Sequence, residues 1–167
     1  MVEPPDHALG RSRGGFGTKV HLVCDCRGVV LAVFVTAGQR HESKAFEPVM
    51  FRARRPRWAG RERWPRRLAA DKGYSYRRVR RWLWRHHIAD VIPTRADQPR
   101  DEHFDRETYR RRNIIERVVG WFKECRALGT RYDKLAVNYV AQWIVAIIHW
   151  LLRKRRKILQ IGLSETT

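Results

Sequence analysis

The 167 residues predict an α/β fold, a mixed sheet flanked by helices. Three observations lead there. Two runs of β-branched and apolar residues face each other across a tight-turn sequence, two shorter apolar runs stand apart from them, and segments with apolar residues at helical spacing alternate with these strands. Apolar residues make up 43% of the chain, and its length suits one domain with a real core.

In chain order, residues 1–17 are rich in Pro, Gly and charge and read as an extended lead-in. Thr18 to Cys24 and Val29 to Thr36 form an antiparallel hairpin, joined by Asp25-Cys26-Arg27-Gly28, whose Asp and Gly suit a tight turn. Glu42 to Arg54 is a helix with Phe46, Val49, Met50 and Ala53 on one side. Residues 52–67 hold eight Arg, one acid and two Trp, broken by Pro and Gly. That composition suits two readings: a loop that follows a phosphate backbone while Trp58 and Trp64 stack on bases, or a solvated loop with its Trp rings tucked into the core. Arg67 to Ala70 is a short strand ending at Asp71, Tyr76 to Arg85 a helix, Asp90 to Pro93 a second short strand, and 94–105 a polar connection. After Gly129, Lys134 to Arg153 is apolar nearly all round and reads as a largely buried helix. The expected division is a lead-in over 1–17, one domain over 18–160 and a tail over 161–167.

The segment Tyr109 to Lys123 carries the chemistry. At 100° per residue, Arg112, Glu116 and Lys123 project at about −60°, −20° and −40° from Tyr109, so the four share one stripe. Ile114, Ile115, Val118, Trp121 and Phe122 make the opposite, apolar face. A helix of this kind docks by one side and presents one carboxylate, two cations and a phenol on the other. Arg110, Arg111 and Arg117 lie off the stripe and fit a solvated basic face. Asp71, at the C-terminal end of a strand, occupies the place where open α/β sheets hold ligands, although an isolated Asp there is also a common turn former.

Thirty-six Lys and Arg against 17 Asp and Glu give a net charge of +19 and point to a polyanionic partner, nucleic acid first. The three cysteines are odd in number and without a repeating pattern, which argues against a secreted disulfide framework and fits a reducing cytoplasm. Cys24 and Cys26 have no second pair and read as incidental rather than as a metal pair. The N-terminus has no apolar core of the signal-peptide type, and the apolar run Val140 to Leu152 is shorter than the ~20 residues a bilayer span requires.

The blocks GRSRGGFGTKVHLVCD, LAADKGY, YRRRNIIERVVGWFK and TRYDKLA, in this order, resemble the catalytic domain of IS5-family (IS4/IS5-like) insertion-sequence DDE transposases, over most of residues 10–137. The resemblance implies an RNase H-like fold in which Asp71 and Glu116 are the second and third metal-binding carboxylates. Tyr109, Arg112 and Lys123 would contact DNA, and Mg²⁺ (or Mn²⁺) would activate water to cut the transposon end for strand transfer. It also implies a first Asp at the end of a strand preceding Gly10. No strand pattern stands there: Asp6 follows no apolar run, and Asp25, the one rescue candidate, lies in a turn. The chain therefore resembles the C-terminal part of a transposase, lacking its first strand, and reads either as the product of a second, frameshifted frame or as a catalytically inactive DNA-binding remnant. Homo-oligomerisation, or partnership with an upstream-frame product, follows from the same resemblance, as does a bacterial cytoplasmic, nucleoid-associated location.

Overall fold

A computed structural model describes residues 6–12, 14–54 and 64–164, with side chains through residue 154. The predicted hairpin is present as β2 (Gly15–Cys24) and β3 (Val30–Ala37), antiparallel, with Leu22 opposite Val33 and His21 opposite Phe34. The turn is held by Asp25, whose Oδ1 accepts the Arg27 and Val29 amides at 2.9 Å each, and by Gly28 at φ +75°, a left-handed conformation that favours glycine.

Residues 1–17 are not simply a lead-in. A short strand, β1 (Gly10–Ser12), folds back on the start of β2, with Arg11 opposite Phe16, and Ala8 is buried in the core. Small residues permit this. A methyl group at Gly38, just past β3, would stand 2.9 Å from the Gly17 carbonyl oxygen and 3.0 Å from that of Gly10, so only glycine lets the three backbones meet. Gly38→Ala is expected to lower stability by about 1–3 kcal/mol, read from denaturant melts, because the obstacle is backbone and cannot rotate away.

The period-2 alternation of the hairpin gives it two packed faces. Val20, Leu22, Val33 and Val35 join Val118 and Phe122 of α4 (Asn113–Glu124), Leu128 of α5 (Arg126–Gly129) and Tyr139, Val140 and Trp143 of α6 (Ala136–Ser164) in one core. The opposite face carries His21, Val23 and Thr36. Beyond it, Phe46 and Met50 of α1 (Phe46–Ala53) pack with Val79, Trp82 and Leu83 of α2 (Arg77–Arg85), Ile88 and Ile92 in a second core. The helix expected over 42–54 is thus a single 3-10 turn, Glu42–Lys44, followed by α1.

The strands expected at 67–70 and 90–93 are β4 (Arg67–Ala69) and β5 (Ala89–Val91), parallel, joined by the α2 crossover that a parallel pair requires. Among the described residues the two sheets, β1-β2-β3 and β4-β5, share no backbone pairing. Among the described residues β2 pairs beyond Gly17 only with β3, and β4 only with β5, so each has an edge without a backbone partner there.

Two expectations about side chains change. Trp64 packs edge-on against Trp82, Phe51 and His86, so this ring belongs to the core; Trp58 lies outside the described residues. The helix α6 runs to Ser164, and it is buried on one side only. From Ala136 to Leu152 it carries no Lys, Arg, Asp or Glu, yet Ile144, Val145, Ile148 and Leu152 are exposed. The core takes one face of an all-round apolar helix, and nothing else among the described residues covers the other. No helix there is long and apolar enough to cross a membrane.

Candidate functional site

The segment predicted as one helix over 109–123 is two. Asp105 caps α3 (Arg106–Arg110) by accepting the Thr108 amide at 2.9 Å, and the Thr108 hydroxyl bond holds its carboxyl below the ordinary aspartate value. At Arg111 and Arg112 the chain stays in right-handed helical conformation but tightens to i→i−3 bonds, Arg112 N to Tyr109 O at 3.0 Å and Ile115 N to Arg112 O at 3.0 Å, before α4 begins. Tyr109, Arg112 and Glu116 stay on a common side across this junction. Arg112 lies over the Tyr109 ring, 5.4 Å from its centroid, and donates to Glu116 Oε1 at 2.5 Å. Phe104 tilts against Tyr109 at 5.3 Å. Lys123 is exposed near the far end of α4, and Val118 and Phe122 on the opposite face are buried, as the apolar spacing predicts.

Asp71 stands elsewhere. It directly follows β4, whose pairing extends through Ala70 N to Val91 O, and its Oδ1 accepts the Lys72 amide at 2.6 Å, capping the 3-10 turn Lys72–Tyr74. Residues that sequence reading did not single out surround this turn. A methyl group at Gly73 would meet Glu42 Oε2 at 3.0 Å, and Glu42 Oε1 pairs with Lys19 Nζ at 3.2 Å. The Tyr74 hydroxyl lies 3.2 Å from His21 Nδ1, and His21 Nε2 lies 3.0 Å from the Thr36 hydroxyl. Burial pushes the His21 pKa down to about 4, with Lys19 and Arg40 adding to the shift and Glu42 opposing it. Burial, then Glu42 and Asp71, pushes Tyr74 up to about 12. Both groups are therefore neutral near pH 7, as suits a buried hydrogen-bonded pair. Glu42 escaped notice because its sequence position reads as the start of a helix.

The structure brings Tyr109, Arg112 and Glu116 together, and the hydrogen bond of Asp71 is made within its own turn. The turn that follows Asp71 meets Glu42 through Gly73 and His21 through Tyr74. On α4 the side chains of Ile114 and Val118, which flank Glu116 in sequence, lie 3.2 Å from where a Gly28 Cβ would be. Exposed carboxylates are the right donors for a hard divalent cation. Their arrangement does not fit one as it stands, because among the described residues no three His, Cys, Asp or Glu side chains group closely enough to hold a metal. Cys24 adds nothing to such a site, since burial and then Asp25 push its thiol up to about 11, away from the thiolate that ligates.

No curated protein and no solved structure matches the chain. The family model described as the transposase DDE domain matches residues 4–151, which include the hairpin, the Asp71 turn and the whole Tyr109–Lys123 stripe. Domains of this family act on DNA in transposition and generally use a divalent metal. A match over that much of the sequence is decisive: the chain belongs to the transposase DDE domain family.

Proposed function

We propose that the chain is the catalytic portion of an IS5-like insertion-sequence transposase with an RNase H-like domain over 18–160, cutting and joining DNA strands with Mg²⁺ or Mn²⁺ in the bacterial cytoplasm. The observation that carries this reading is the position of Asp71, directly after a parallel strand, at the end of the sheet where α/β enzymes bind their ligands. Glu116 is the third carboxylate of the set, presented by a helix that docks through its apolar face. Arg112 neutralises that carboxylate and keeps guanidinium donors for a phosphate, Tyr109 supports the guanidinium from below, and Lys123 extends the cationic track along α4. The edges of β2 and β4 that have no backbone partner among the described residues support a further element of the reading: another strand lies between them and brings the first carboxylate.

That no three metal-type ligands group together among the described residues favours a second reading, a DNA-binding remnant that never assembles the site. The two readings part when an added strand is supplied, as argued below. Within the first, substitutions along α4 divide into two kinds. In a completed protein, Glu116→Gln is expected to abolish Mg²⁺-dependent nicking while DNA affinity stays within about twofold, because it removes a ligand and some repulsion of phosphate together. Arg112→Ala and Lys123→Ala are expected to weaken binding, each flattening the slope of log affinity against log salt by about one. Equal effects of all three substitutions on affinity would remove the distinction between ligand and phosphate contacts.

A further inference from the structure

The β1-β2 hairpin has no part in the roles assigned so far. Its base is fixed. Gly38 N donates to Gly17 O at 2.9 Å, the Thr18 hydroxyl donates to Ala8 O at 2.5 Å, and Arg131 clamps the entry by donating to Thr18 Oγ1 at 2.6 Å, His7 O at 2.9 Å and Ala8 O at 3.2 Å. The tip is open by contrast: a Cβ at Gly15 or Gly17 would meet nothing within 4 Å. Gly15 takes φ +101°, and the Ser12 hydroxyl closes the turn on Gly15 O at 3.1 Å.

On this arm Phe16 is 78% exposed. Its register partner across the hairpin is Arg11, also exposed, so the two side chains leave the same face with Cβ atoms about 5 Å apart. An aromatic ring at the tip of an anchored arm contributes nothing to the fold. Beside a guanidinium, on a chain of net charge +19, it has the chemistry that holds a nucleotide: the ring offers a stacking platform to a base and the planar cation takes the adjoining phosphate. The flanking Gly14, Gly15 and Gly17 leave room for a strand to approach closely.

We propose that the β1-β2 hairpin is an arm for unpaired DNA, with Phe16 stacking on a base and Arg11 contacting its phosphate. The inference rests on the DNA-processing reading above, and it names a substrate feature which that reading leaves open. Stacking of this kind tolerates any base, so the arm selects open strands over closed duplex without reading sequence.

The full chain is titrated against a blunt duplex and against the same duplex with a short unpaired tail carrying 2-aminopurine. Wild type is expected to prefer the tailed DNA and to quench the 2-aminopurine. Phe16→Ala should lose about tenfold in affinity for the tail and less than about twofold for the blunt duplex, with the quench abolished, and Phe16→Trp should keep both preference and quench. Arg11→Ala should weaken tail binding and reduce its salt slope. Because Phe16 is exposed, the alanine variant folds normally and its thermal melt is the control. Equal loss on both DNAs, or no loss on either, overturns the proposal. Asp71→Asn and Glu116→Gln should leave the tail preference untouched, so a failure of the cleavage reading appears in nicking and a failure of this one in the tail.

Discussion

The isolated 167 residues are expected to bind DNA and leave it uncut, and to nick it with Mg²⁺ only when an extended segment ending in a carboxylate is supplied, fused ahead of Met1 or added in trans. Two features lead to this. Among the described residues no three metal-type ligands group together, and β2 and β4 each have an edge with no backbone partner. An edge that offers unpaired amides and carbonyls is a template for another strand. A strand between β2 and β4 joins the two sheets, satisfies both edges and sets the spacing of the acids, on which the rate depends steeply. Gel assays of labelled element ends give the result directly. The completed protein carrying Asp71→Ala should gain solubility without nicking. If the added strand restores solubility and no cleavage with Asp71 intact, the remnant reading stands. Cleavage by the isolated chain, abolished by Asp25→Ala, would place the active site at the hairpin turn.

Acid is expected to destabilise the fold between pH 6.5 and about 4, chiefly through His21. The ring is 5% exposed, and its pKa in the folded protein is about 4 against an ordinary 6.5. Below pH 6.5 the unfolded chain takes up a proton that the folded chain refuses until about pH 4, so the unfolded state binds more protons and stability falls as the pH falls. A displacement of this size corresponds to about 3 kcal/mol, present in full above pH 6.5 and lost through that window. The charged groups around the ring set the balance: Glu42 favours the proton, Lys19 and Arg40 oppose it. Urea melts across this range should show the slope in wild type and a flatter one in His21→Asn, which keeps a donor and an acceptor without a titrating ring. An unchanged slope in the variant would assign the acid sensitivity to other groups. The same bond links β2 to the Asp71 turn, so Tyr74→Phe should cost stability at neutral pH.

Periodicity revealed most of the elements. The β2-β3 hairpin, α1, α2, α4, α6 and both short parallel strands stand close to their expected positions because each is amphipathic or bounded by Gly, Pro and Asp. β1 was missed because GRSRGG has no alternation; its pairing depends on the close approach of Gly10, Gly17 and Gly38, a tertiary event. The common side of Tyr109, Arg112 and Glu116 was legible from helical angle alone, and it tolerated the tightened turn at Arg111 and Arg112, since that turn stays near helical geometry. The surroundings of Asp71 were not legible. Glu42, His21 and Tyr74 come from three separate elements, and only packing brings them to one turn.

The uncovered face of α6 gives the molecule two surfaces that answer oppositely to its solvent. The cationic surface of a chain of net charge +19 sheds polyanions as ionic strength rises, whatever the salt. Ile144, Val145, Ile148 and Leu152 respond instead to the kind of ion: sulfate and phosphate, excluded from protein surface, drive apolar area together, and cooling relaxes it. Preparation of the protein is therefore a matter of Hofmeister order. Chloride in the cold is expected to release nucleic acid and keep the exposed apolar side chains of α6 apart, whereas ammonium sulfate is expected to release it and draw those side chains together.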